Sequence, residues 1–598
     1  MGNIQTTLKF TLLTATALFL GSCAESWKEK TNNEWEEKYV WGVSDIAKGV
    51  LNESYSAISG YPDSYGSNFL DAATDNATTT SYGTSTDNLA NGSLSAMNNP
   101  LSCWQACYNH IQYVHQFIEN GLGDNVRYDK VSEEQDLAYK RQYYGEDIFF
   151  RAYWYFYLLQ HYGGRDDNGK ALGVPLVLRF IDTDEASQWN SLGRASYGET
   201  VNQIMSDLNC AMEYLPLEYT GSDIVTGSGS IGKPSALAAA ALKTRVALYA
   251  ASPAFLDDNI VSINGMGDFT VVDEQAYLNG WEYAALVADT LIRNVAFGSG
   301  FTALKAEDLA DAPNTTPAEF IWRKYHNSKA METRHFPPYY FGKANTVPSQ
   351  NLVDAYPMAN GYPVDDPRSG YNPDDPYKGR DARFYLTIYH HGAAFGNGDS
   401  FINVMAGGRD AYTFNSNAST TGYYLAKGLS KNSAMLNPIA SSNSQHYRPI
   451  IRRTEVFLNF AEAANEAWGP SGNPKGCKYT ALDVMKMIRS QSGKISDDKY
   501  VEECAAAGKD AFRKLIQNER RLEIAFENHR YFDLRRNVLD LCESIRGVKV
   551  FIEEGKLKYD TSVVVSERKY DGVKYYYLPL PYDEVFKNTS LVNNLGWK

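Results

Sequence analysis

Apolar residues recur at three- and four-residue spacing in several separated blocks of this chain, the period that places side chains on one face of a helix. The pattern predicts helices over about 39–58, 101–120, 134–162, 197–215, 235–251, 281–293, 454–468 and 481–490, with a last one opening the stretch 511–536. In the 134–162 block the stripe is Leu137, Tyr144, Ile148, Ala152, Tyr155 and Leu159. Gly163-Gly164 ends it, and Val174-Pro175-Leu176-Val177 resumes as extended chain. The 235–251 block is alanine-rich, which lets neighbouring helices approach closely. Consecutive helix pairs with small residues at packing points predict a mainly α fold, a tetratricopeptide-like helical-repeat scaffold, although no strict repeat of about 34 residues is visible.

Periodicity fades in two places. Residues 61–100 are dense in Ser, Thr, Asn, Asp and Gly. Residues 252–449, apart from 281–293, are rich in Gly, Asn, Asp, Pro and Tyr and read as a long loop-rich insertion. Within it Phe320 and Trp322 alternate as in a core strand.

The stretch Ala511 to Arg536 carries the densest charge pattern. Glu519, Glu523 and Glu527 stand four residues apart, hence on one helical face, among Arg520, Arg521, Arg530, Arg535 and Arg536. Adjacent carboxylates could divide acid and base roles, as in glycoside hydrolysis. Acids interleaved with arginines instead make ion pairs, and the structural reading is preferred: a rigid, charge-compensated core element.

Glu519-Arg520, Glu523, Phe526-Glu527, Arg530 and Asp533-Leu534-Arg535-Arg536 resemble the C-terminal signature of the SusD/RagB family of outer-membrane nutrient-binding lipoproteins. Many relatives have Gly where this chain has Asn528, the expected left-handed end of the helix. Further stretches resemble the family in order along the chain: Asn68 to Asp75, the run from Arg151 to Gly164, Pro348 to Tyr356, Arg380 to Phe384, Arg453 to Gly469, and Tyr576 to Pro581 with Asn593 to Trp597. The resemblance spans Cys23 to Trp597. It implies four helical units, about 39–294 and 453–536, interrupted by the insertion at about 252–449, in one SusD-like unit over 23–598.

Residues 1–22 read as an export signal. Leu8 to Leu20 is apolar apart from Lys9 and three threonines, too short for a membrane span. It runs into Leu20-Gly21-Ser22-Cys23, a lipobox-like tetrapeptide with Cys23 as the acylated residue. The pattern Met1-Gly2 to Thr6 also fits N-myristoylation, but the apolar run and cysteine that follow favour the lipoprotein. The net charge of −14 and the lack of a basic stripe argue against a nucleic-acid partner. Six cysteines beyond Cys23 are too sparse for a disulfide framework. Cys103, Cys107 and His110 share a helical face but lack usual zinc spacing, so no metal or other cofactor is expected.

The resemblance implies capture of an oligosaccharide or polysaccharide at the cell exterior and its delivery to a SusC-like TonB-dependent transporter, with the protein held on the outer membrane by lipid. Sugars offer apolar C–H faces and a rim of hydroxyls, which aromatic platforms and polar tips recognise. The chain has 43 Tyr against 26 Phe, an excess of the aromatic suited to wet surfaces. Candidates lie on the loops: Tyr61, Asp75 and Tyr82 in the first, and Arg334, Tyr339 and Tyr340 in the proline-stiffened RHFPPYY of the second. Two alternatives stay open, a lipid-anchored glycoside hydrolase and a peptide-binding or lid protein of the same kind of transporter.

Overall fold

The computed structural model describes residues 37–597 apart from 224, 295–296, 299, 313–316, 397 and 399, so the export signal and Cys23 lie outside the described residues. The helical scaffold begins with α1 (Ser44–Ser56), α2 (Trp104–Gln116), α3 (Glu133–Tyr162), α4 (Tyr197–Tyr214), α5 (Ala236–Ala251) and α6 (Glu274–Arg293). Local chemistry starts several of them. Ser132 accepts the Gln135 amide at 3.2 Å to open α3, and a reciprocal Ser196–Glu199 capping box opens α4. Neighbours in sequence pack on one another, α2 on α3, α3 on α4, α4 on α5 and α5 on α6. Along α5 alanines and leucines are buried on nearly every side, the small side chains permitting contact with both neighbours. Buried ion pairs add register: Arg151 to Asp207 joins α3 to α4 at 2.6 Å.

After α6 the chain leaves the helices, makes the short helix α7 (Ala330–His335), and returns as α8 (Arg453–Trp468), α9 (Ala481–Gln491), α10 (Lys499–Ala506), α11 (Lys509–Glu523) and α12 (Arg530–Arg536). Helix α8 packs against α6 despite the long excursion between them, and buried Arg245 of α5 holds Glu455 of α8 at 2.6 Å. The excursion is built from two-stranded antiparallel ribbons rather than one sheet. Phe320–Ser328 pairs with Ser444–Arg452, and Ala77–Thr79 pairs with Thr346–Pro348, Thr79 opposite Thr346. Trp322 is buried in the main core, as its strand pattern predicts.

Two large apolar cores result among the described residues, beside a small cluster of Leu304, Leu309, Ala312, Phe320 and Tyr447. The larger fills the helical scaffold, and a second lies under the insertion, with Phe336, Val347, Tyr356, Phe384, Phe395 and Tyr424. The stretch 511–536 joins them: Leu515 and Ile516 belong to the first, Leu522, Ala525 and Phe526 to the second.

Several predicted elements shift. The first helix is broken after Val40 and resumes at Ser44, either side of Gly42. Helix α6 starts seven residues before Trp281, where Asp273 accepts the Ala276 amide at 3.0 Å. Leu137 is exposed, so the buried stripe of α3 gathers further along, at Ile148, Ala152, Tyr155 and Leu159. Between Gly164 and the extended chain at Val174, the Arg165–Leu172 segment makes a hairpin with buried arms. Helix α10 has no counterpart in the predicted set.

Candidate functional site

The signature stretch decides between chemistry and structure. Helix α11 ends at Glu523, not at Asn528. Distant cations cap it there: Arg452 donates to the Glu523 carbonyl at 2.7 Å, and Lys427 donates to the carbonyls of Glu523 and Ala525 at 3.2 and 2.9 Å. Phe526 then takes a left-handed conformation (φ 58°), which costs about 1–2 kcal/mol. Burial of its ring against Phe69, roughly 1.5–3 kcal/mol, and its amide's bond to Asp71 at 3.1 Å offset that cost. Asn528 is left-handed as expected (φ 64°), and its side chain is used: Nδ2 donates to the Pro62 carbonyl at 2.7 Å and Oδ1 accepts the Leu70 amide at 2.9 Å.

Every carboxylate of the signature has a cation. Glu519 meets Arg383 and Arg489, Glu523 meets Arg383 and Arg452, and Glu527 meets Arg452 at 2.9 Å and Lys427 at 2.8 Å. Asp533 lies between Arg520 and Arg536. Burial alone would raise the Glu527 pKa, but the charges of Arg452 and Lys427 hold it down to about 2. These carboxylates are thus tied into an ion-pair lattice with arginines and a lysine. A cleft of about 690 Å³ formed by the helical scaffold is lined by Tyr277, Trp281, Glu462 and Glu466, with Asp268, Glu274 and Asp510 also on its wall. There Arg536 holds Glu462 and Arg513 holds Glu466, each at 2.6 Å.

Asp75 belongs to this lattice and not to an open surface, which corrects its placement among the sugar-contacting residues. It is 6% exposed, with Arg530 at 2.7 Å and Arg521 at 3.2 Å. Burial would raise its pKa, but Arg521 and Arg530 hold it well below the carboxylate range. The charge pattern of 511–536 alone did not locate this partner, since Asp75 is over four hundred residues away in sequence.

The remaining candidates come together through the Ala77–Thr79 and Thr346–Pro348 ribbon. Just beyond it the Thr80 amide donates to the Asn345 carbonyl at 3.0 Å, which sets Tyr82, 90% exposed, beside the loop Phe341–Asn345. That loop follows the turn Pro338–Tyr340. Tyr339 is 53% exposed, whereas Tyr340 is buried on Phe395 with ring centroids 4.2 Å apart, so it supports the surface instead of forming it. Arg334 donates to buried Asp63 at 2.9 Å and lies over the Tyr61 ring. Tyr61 itself stacks on His326 at 3.9 Å and is half-buried.

The sequence reading missed the residue at the centre of this group. Arg409 sits over the Tyr339 ring, 4.5 Å from its centroid, and donates to the Tyr340 hydroxyl at 2.9 Å and the Phe401 carbonyl. Around it Phe341 and Phe401 are 58% and 59% exposed, and Tyr412 and Phe414 follow on the next turn, also exposed. Phe341 adjoins the RHFPPYY stretch, so extending that motif by one residue finds it. Nothing in the sequence connects Arg409 to Tyr339, seventy residues earlier. Among the described residues, Cys103, Cys107 and His110 do not form a metal-ligating group.

The SusD family model matches residues 318–597, and a model described as starch-binding associating with outer membrane matches residues 26–248. The chain belongs to the SusD/RagB family. Its fold is that of solved SusD-like structures: a SusD-like protein from Bacteroides fragilis (23% identity, TM-score 0.67, covering 94% of this chain and 99% of that one) and a SusD-like carbohydrate binding protein from the same species (20%, 0.64, 92% and 99%). SusD-like protein P2 of Formosa agariphila is 30% identical over 176 residues, a match spanning 29% of each chain. No helix among the described residues is long and apolar enough to cross a membrane.

Proposed function

We propose that this SusD-like protein is a noncatalytic surface lipoprotein that captures a glycan and passes it to a TonB-dependent outer-membrane transporter. The observation that carries the capture step is the exposed aromatic group around Arg409, comprising Tyr339, Phe341 and Phe401, with Tyr82 close by. Exposed aromatic faces held by a ribbon, a proline turn and a guanidinium can stack on pyranose C–H faces without first ordering a loop, which lowers the entropic cost of binding. The ion pairing of the signature carboxylates, and of Glu462 and Glu466 in the cleft, supports binding over hydrolysis. Affinity for polysaccharides measured with the soluble chain lacking its lipid, together with product analysis, tests this. Tyr339→Ala should weaken binding by about 2 kcal/mol, as for a binding hot spot. Undiminished affinity in Tyr339→Ala and Phe401→Ala removes the site, and release of new sugar ends removes the noncatalytic class. Co-purification of the acylated chain with a transporter from solubilised outer membranes tests the delivery step.

A further inference from the structure

Charge around the aromatic group is arranged with acids inward and cations outward. Asp410, which Arg409 holds at 3.3 Å, and Asp63, which Arg334 holds, are both fully buried. Their partners reach the surface: the Arg409 and Arg334 side chains are 31% and 29% exposed. Arg409 spends Nε and Nη2 on Asp410, Tyr340, Ser400 and Phe401, while Nη1 has no partner among the described residues, which leave out Asp399. Lys343, exposed on the loop between Phe341 and Ala344, makes no ion pair among them. The acid at the other end is Asp87, which accepts the Gly83 amide at 2.7 Å beside Tyr82. A chain of net charge −14 thus presents cations where its aromatic faces are open.

Resting on the glycan-capture reading, we infer that this surface selects an acidic glycan, one bearing carboxylate or sulfate groups, with Arg409 and Lys343 as the anion-recognising residues at the Tyr339–Phe401 end. A guanidinium fixed over a tyrosine ring offers its remaining N–H edge in a set direction. That geometry suits a carboxylate or sulfate next to a sugar ring stacked on the neighbouring aromatic. The protein's overall negative charge repels acidic polymers elsewhere, so local cations act as a filter as well as a contact.

The test is native affinity electrophoresis of the soluble full-length mature chain against a panel of neutral and acidic polysaccharides from plants, animals and algae. Acidic members should retard it and neutral ones should not. The best binder is then compared with its carboxyl-reduced and its desulfated forms, which separates the two anion sources. The form lacking the recognised group should bind at least tenfold more weakly. Arg409→Gln and, because Arg409 also supports its neighbours, the independent surface variant Lys343→Gln should each lose affinity for the acidic polymer. Raising sodium chloride from 50 to 500 mM should weaken wild-type binding severalfold. Retardation by neutral polysaccharides alone, or undiminished binding of the neutralised polymer, overturns the inference while leaving glycan capture standing. Retardation by no member of the panel overturns glycan capture itself.

Discussion

Replacing Arg530 with alanine removes one edge of the buried lattice and leaves a carboxylate behind. Arg530 clasps Asp75 with two bonds, Nε to Oδ1 at 2.9 Å and Nη2 to Oδ2 at 2.7 Å, and their side chains are only 11% and 6% exposed. Breaking one member of such a pair costs about 3–5 kcal/mol, because the orphaned charge stays desolvated. Here Arg521 remains 3.2 Å from Asp75 and compensates part of that charge, so the lower end, about 3 kcal/mol, is expected. With an unfolding entropy of roughly 1.2 kcal/mol/K for a chain of this length, the melting temperature should fall by about 2–3 °C. Asp75→Ala, which leaves two arginines facing each other, should cost at least as much. The double variant should cost less than the sum of the singles, since each removes the other's partner. Scanning calorimetry and urea denaturation give the stabilities, and titration with the bound glycan checks each variant. If Arg530→Ala melted like wild type but lost its ligand, the lattice would belong to the binding site and the structural account of the signature would be wrong.

Other consequences are smaller or more local. Glu527, held at about 2 when folded and near 4.5 when unfolded, contributes stability that is present above pH 4.5 and lost as pH falls toward 2; over that window this one group accounts for about 3 kcal/mol. Acid denaturation of Lys427→Met should therefore show a weaker loss over the same range. Asn528→Gly relieves a left-handed side chain but deletes two bonds to the 62–70 segment, so a net loss of about 1 kcal/mol is expected by urea denaturation. Cys23→Ser should abolish acylation and release the protein from membranes, and mass spectrometry of the mature N-terminus reads this directly; anchoring with no acyl group on Cys23 counts against the lipobox reading.

The helices were legible because their signals are local. Gly163 after α3 and the alanine content of α5 each act within a turn or two, and those helices lie close to their predicted bounds. Helix α11 shows where local reading stops. Leu522 and Phe526 keep helical spacing, yet Lys427 and Arg452, which capture the last carbonyls, arrive from seventy to a hundred residues away. Phe526 therefore serves the second core, outside the helix. The proposed binding surface was half legible for the same reason. Exposed Tyr82 and Tyr339 follow from polar or proline-rich loops, but burial of Asp75 and Tyr340 depends on Arg530 and Phe395. The central position of Arg409 depends on the hairpin between Phe395 and Phe401, whose partners the one-dimensional pattern does not name.

The most direct test of the account is isothermal titration of the soluble mature chain with oligosaccharides cut from whichever polysaccharide it retards, run beside Tyr339→Ala and with the sugars recovered afterwards. Saturable binding to wild type, a loss of about 2 kcal/mol in the variant at unchanged stability, and oligosaccharides recovered uncut are expected. Equal affinity in the two proteins, or shortened sugars in the recovered material, would contradict it.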